Sequence, residues 1–135
     1  MKFLDANVIL RYLTCDDPKK AEKCYELFQK VKRGEIKLIT CEAVIAEVIY
    51  VLSSPSLYNL PRDKTSSLLL PIINLKGIKL PQKRLYIKAL DIYSSKNIDF
   101  EDALIVAYME RRKIKEIYSY DRDFDKVEEL KRLEP

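Results

Sequence analysis

At 135 residues, with 47% hydrophobic and 34% charged residues and only two glycines, the chain is long enough to fold around one core and too apolar to stay disordered. It carries a net charge of +4 and no histidine, which excludes Ser-His-Asp and Cys-His nucleophiles, histidine acid–base ribonuclease chemistry and histidine-containing zinc sites. No apolar run approaches the roughly 20 residues of a membrane span, and Asp5 interrupts any signal-peptide core, so a cytoplasmic protein without a membrane partner is expected.

Taken in chain order, Met1 to Leu4 read as a short buried strand. Asn7 is placed to cap a helix running to about Leu13. Asp17 followed by Pro18 starts a second helix, and Ala21, Cys24, Tyr25, Phe28 and Val31 recur at helical spacing until Gly34 closes it. "IKLIT" (36–40) is a second strand, and "CEAVIAEVIYVL" (41–52) a helix apolar nearly all round, hence expected to be buried. Asp63 to Leu70 is helical until Pro71 ends or kinks it. "GIKL" (77–80) is a brief strand, and Gln82 to Ser94 and "FEDALIVAYMERR" (100–112) are helices. "EIYSY" (116–120) is a strand and "DRDFDKVEEL" (121–130) a final turn or short helix. No linker or repeat divides these elements, so a single domain over 1–135 is expected. Strands alternating with helices predict an α/β fold in three layers, with a short, mostly parallel sheet covered by helices on both faces. Cys15, Cys24 and Cys41 are odd in number, lack C-x-x-C spacing and read as small apolar fillers in a reducing compartment.

In open α/β sheets, ligands sit beyond the carboxyl ends of the strands. Asp5 follows the first strand and Asp121 follows "IYSY"; if those strands are neighbours, both acids face one crevice. Glu47 is a lone carboxylate among apolar helical neighbours, and Asp102 lies in the first turn of its helix. Each has a bland reading. Asp5 and Asn7 form a turn and a cap, Asp102 complements the helix dipole beside a capping Asp99, and Asp121 makes an Asx turn. Glu47 resists this, because an unpaired carboxylate on a buried helix is costly or takes up a proton; its bland alternative is an internal salt bridge. Singly the bland readings are good, but together they require four acids to meet at one end of one sheet by accident. Four clustered carboxylates repel one another unless a cation joins them, and an all-oxygen set suits Mg²⁺ or Mn²⁺. Such a site performs metal-assisted phosphoryl chemistry and needs no histidine.

"FLDANVILRYL", "AVIAEVIYVL", "IDFEDALIVAYM" and "IYSYDRDFDKV", in this order and spacing, resemble the PIN-domain nucleases of the VapC toxin type. The resemblance spans nearly the whole chain and is weakest over 55–95. It implies a Mg²⁺-dependent endoribonuclease on a PIN fold, inhibited by an antitoxin protein and homodimeric. Carried over by position, the catalytic and metal-binding acids are Asp5, Glu47, Asp102 and Asp121. Asn7 and Ser119 match polar positions that orient the site, with Ser119 standing where the family more often has threonine, and Asp123 matches a frequent extra acid.

The charge balance suits an RNA substrate. Removing the four proposed ligands from the 21 acidic residues leaves 17 against 25 basic ones. Arg11 and Arg122 are the best-placed residues for phosphate contact, whereas "RRKIK" (111–115) and "DPKKAEK" (17–23) read as solvated faces. Two other roles remain for the same fold: RNA processing, or a catalytically idle module binding RNA or protein. From other classes, a phosphoacceptor receiver domain would want paired acids at the first strand and a lysine after a late strand. An aspartyl-nucleophile phosphatase would want an acid where Asn7 stands.

Overall fold

β1 (Lys2–Phe3) pairs in parallel with β2 (Leu38–Ile39), and β2 with β3 (Ile78–Lys79), in a computed structural model that describes all 135 residues. The register sets Phe3 opposite Ile39 and Ile39 opposite Lys79. Strand-like bonding continues one residue further: Leu4 N–H donates to the Ile39 carbonyl at 2.8 Å, and Thr40 N–H to that of Lys79 at 3.0 Å. This sheet belongs to Met1–Lys83, the first of two compact units into which the chain divides; the second is Arg84–Pro135.

In the first unit, helices connect the strands. α1 (Ala6–Thr14) starts immediately after Asp5, and α2 (Pro18–Lys32) opens as its sequence predicts, with the Asp17 carboxylate accepting from Lys20 N–H at 3.1 Å and Pro18 at the first helical position. Tyr12 of α1 packs against Phe28 of α2 with ring centroids 4.5 Å apart. Gly34, at φ 79°, follows α2 in the left-handed conformation that favours glycine. Gly77 is required for a different reason: a Cβ there would lie 2.6 Å from Val31 Cγ1 and 3.1 Å from the Val31 carbonyl, so only glycine lets the entry to β3 approach α2 this closely. α3 (Glu42–Ser53) and α4 (Arg62–Ile73) complete the unit.

The second unit comprises α5 (Lys83–Lys96, entered from the first unit), α6 (Phe100–Arg112), β4 (Glu116–Tyr118), a 3₁₀ turn over Arg122–Lys126 and β5 (Lys131–Leu133). Tyr93 meets Phe100 edge-on at 6.4 Å, joining α5 to α6. β4 and β5 are parallel, with Ile117 opposite Arg132.

The α/β class, the parallel pairing and the helical connections follow the sequence. Several local expectations do not. The helix cap after β1 is Asp5 rather than Asn7, which lies inside α1. The first strand is not buried: Leu4 is, but Met1 and Phe3 are exposed. β1 and β4 are not paired neighbours; β4 pairs with β5, a strand the charged "KRLEP" terminus gave no reason to expect. α4 runs on through Pro71 to Ile73, because a proline in the last turn deprives only the Ser67 carbonyl of its donor, and Ser67 is exposed. Cys15 is no core filler: it is exposed, at φ 57°, ending α1.

Candidate metal centre

Asp102 is the third residue of α6, where backbone N–H groups lack intrahelical partners and the helix dipole favours negative charge. Asp99 is the N-cap, as the sequence suggests, though its side chain makes no capping hydrogen bond. Asp121 caps the 3₁₀ turn: its Oδ1 accepts from Asp123 N–H at 2.9 Å, while its own N–H donates to Ser119 Oγ at 3.0 Å. The turn folds the chain so that two carboxylates project together. Oxygens of Asp102, Asp121 and Asp123 all lie within 4.8 Å of one another. The Asx turn and the ligand role are therefore compatible, because a carboxylate has lone pairs for both the Asp123 N–H and a cation. Asp123, an accessory position by sequence, is a full member of the cluster.

The electrostatics register the crowding. Asp102 is half-buried, and its carboxyl is pushed up to about 6, first by loss of solvent, then by the Asp121 charge and a hydrogen bond to it, with smaller contributions from Asp99 and Asp123. Lys126 answers part of this charge: its Nζ lies 3.0 Å from Asp123 Oδ1 and donates to the Asn97 carbonyl at 3.0 Å. It thereby ties the 3₁₀ turn to the loop before α6. The donors are all oxygen, and no thiol or imidazole is among them, so the cluster fits a hard divalent ion.

A brace not anticipated from sequence holds this turn. Arg132 on β5 donates through Nη1 to the Ser119 carbonyl at 3.0 Å and through Nε to Asp125 Oδ1 at 3.1 Å. One guanidinium thus grips the chain on both sides of Asp121 and Asp123. Nη1 also bonds Glu134 Oε1 at 2.7 Å, and both carboxylates raise the already high pKa of Arg132. The only sequence signal was an arginine inside a short apolar-flanked run after the acidic turn.

The other predicted residues, Arg122 apart, lie in the first unit. Asp5, exposed, occupies the N-cap position of α1 without making a capping bond through its side chain. Its backbone is fixed from β2, where the buried Thr40 hydroxyl donates to the Leu4 carbonyl at 2.9 Å. Glu47 corrects an expectation: it is exposed, and so escapes the desolvation cost that burial would impose. α3 is not buried all round; Ala43, Glu47 and Tyr50 line its open face while Val44, Ile45, Val48, Ile49 and Leu52 face inward. Asn7 and Arg11, one turn apart on α1, line a single groove, and no ion pair joins Arg11 to Glu47. Arg122 is exposed at the start of the 3₁₀ turn.

Residues 2–130 match the model of the PIN domain family. The chain belongs to the PIN domain family. A relative from Aquifex aeolicus (strain VF5), named a VapC ribonuclease, is 28% identical over 127 residues, covering 94% of this chain and 92% of its own length. In this PIN domain Asp102, Asp121 and Asp123, and also Arg11 and Arg122, fall inside the matched span, whereas Arg132 lies just beyond it. No helix of the PIN-domain chain is long and apolar enough to cross a membrane.

Proposed function

We propose that this protein is a metal-dependent endoribonuclease, the toxin of a VapC-type toxin–antitoxin pair. The observation that carries the reading is the cluster of Asp102, Asp121 and Asp123, in which loss of solvent and then the Asp121 charge push the Asp102 carboxyl up to about 6, in a PIN-family chain that contains no histidine. Family membership and the VapC ribonuclease relative support a nuclease, and RNA as its substrate. The resemblance adds an antitoxin protein as partner and a homodimer, and the sequence expectation of a cytoplasmic protein accords with them. A receiver-like phosphoacceptor does not accord with the PIN match, and the strand end that would need a lysine carries Asp121 instead.

Asp102, Asp121 and Asp123 would hold the ion, Mg²⁺ or Mn²⁺, and the resemblance carries Asp5 and Glu47 into the same ligand set. A bound ion of this kind supplies Lewis acidity towards water and the phosphate oxygens. The chain's own groups do the rest. Ser119 fixes the Asp121 backbone, the Asp123 N–H fixes the Asp121 carboxylate, and Arg11 and Arg122 receive phosphate oxygens of the substrate. In the metal-free protein Asp102 takes up a proton as pH falls through about 6, so a cation must compete with that proton and metal binding should weaken towards acid pH.

The decisive experiment is cleavage of a panel of structured RNAs by purified protein. EDTA should abolish cleavage and Mg²⁺ or Mn²⁺ restore it; undiminished cleavage in EDTA would sink the metal mechanism.

A further inference from the structure

The first unit contains a groove of about 190 Å³ lined by Asn7, Leu10, Arg11 and Thr14 of α1, Val51 of α3 and Tyr58 of the turn after α3. No carboxylate lines it. Arg11 is half-buried, and its guanidinium has no hydrogen bond or ion pair; its charge partly offsets the rise that burial causes in the Cys24 thiol pKa. A half-buried cation facing a groove without an acid calls for an anionic ligand. The opposite character comes from Leu10, Val51 and the Tyr58 ring, which offer flat apolar surface. Tyr58 is held in place for this: the N–H groups of Leu57 and Asn59 both donate to the Ser54 carbonyl, at 3.0 and 2.9 Å, and Asn59 turns the chain at φ 49°. The Ser54 and Ser56 hydroxyls bond each other at 3.1 Å within the same turn.

The volume falls below the roughly 300 Å³ at which small-molecule pockets begin, and suits a single planar ring. The location also matters. Arg11 lies six residues beyond Asp5, about 9 Å along the axis of α1, so the groove shares its helix with a proposed metal ligand. One occupant explains all of this. We infer that the groove is a nucleotide subsite for the RNA substrate, in which Arg11 takes a phosphate next to the scissile one and Tyr58 stacks on the flanking base. The inference rests on the ribonuclease reading and deepens it, by giving the enzyme a preference at one position beside the cut. An apolar peptide would use the walls but leave Arg11 unpaired.

The test uses the full chain carrying Asp102→Asn, so that bound RNA is not cut, titrated by anisotropy with a labelled single-stranded oligonucleotide. Adding Tyr58→Ala should weaken binding about tenfold, the size of one base–aromatic stack, and Tyr58→Phe should restore it. Tyr58→Leu keeps the apolar bulk but loses the aromatic face, so it should bind as weakly as the alanine variant at an unchanged Tm. In oligonucleotides with one abasic site walked along the sequence, a single position should erase the difference between tyrosine and leucine. Equal affinity for Tyr58→Leu and its parent overturns the subsite, as does a loss that no abasic position removes; the groove is then a structural wall or a peptide site. If the wild-type protein cleaves RNA while Tyr58 proves silent, only the subsite falls. A wild-type protein that neither binds nor cleaves RNA in Mg²⁺ or Mn²⁺ takes the ribonuclease reading down with it.

Discussion

Asp102 shows how one side chain links the chemistry to the stability of the fold. Its carboxyl has an ordinary value of 3.8 and is raised to about 6 in the folded protein. Between these values the folded state binds more protons than the unfolded chain, so the stability contributed by this group falls as pH rises from about 4 to about 6 and stays low above. Thermal melts in EDTA across this range should show that decline in the wild type and a flatter profile in Asp102→Asn, which carries no ionisable group there. At neutral pH the variant should be as stable as the wild type or more so, having lost one repelling charge, yet its RNA cleavage should drop by orders of magnitude. If Asp102→Asn melts early while its folded fraction cleaves normally, Asp102 serves only the helix dipole. Glu47 makes a cleaner separation because it is exposed. Glu47→Gln should shift stability by no more than about 0.5 kcal/mol in urea denaturation while abolishing activity; retained activity would remove Glu47 from the ligand set.

Among the elements, the 3₁₀ turn with its brace from β5 decides whether two acids point the same way. Arg132→Ala releases both ends of the turn, and Mg²⁺ affinity measured by calorimetry should fall about tenfold or more, as when outer-shell partners of metal ligands are removed. Arg132→Lys, a point charge without the fork that reaches the Ser119 carbonyl and Asp125 together, should recover only part of the loss. Normal metal affinity in Arg132→Ala would reduce the brace to an ordinary surface network. This element was illegible in the sequence, since β4–β5 pairing is non-local and "KRL" has no periodicity to announce a strand. The acids were legible for the opposite reason: Asp5, Asp102 and Asp121 each stand at the start of a helical segment, a position that local sequence marks well. The exposure of Glu47 was not legible. Alanine and tyrosine on the open face of α3 look apolar, so nothing in the pattern distinguishes that face from the buried one. Pro71 does not mark the end of α4, because the cost of a proline depends on how many turns surround it.

At the scale of the whole molecule, charge divides the labour between holding a cation and holding a polyanion. Asp102, Asp121 and Asp123 are concentrated in one cluster, whereas 25 basic residues against 21 acidic ones leave the chain at +4. RNA affinity should therefore depend strongly on salt, each phosphate contact contributing about 0.7 to the logarithmic slope for a single strand. Arg11 is the residue to remove, since it makes no ion pair whose loss would confuse the result. Arg11→Ala should weaken RNA binding and flatten the slope by about 0.7, while Mg²⁺ affinity stays level or rises slightly as a competing positive charge disappears. A structural role would appear as a lowered Tm with the slope intact. Calorimetry of Mg²⁺ binding beside RNA titrations at two salt concentrations distinguishes these results. An unchanged slope with a large shift in metal affinity would mean that Arg11 acts on the acids and not on the phosphate.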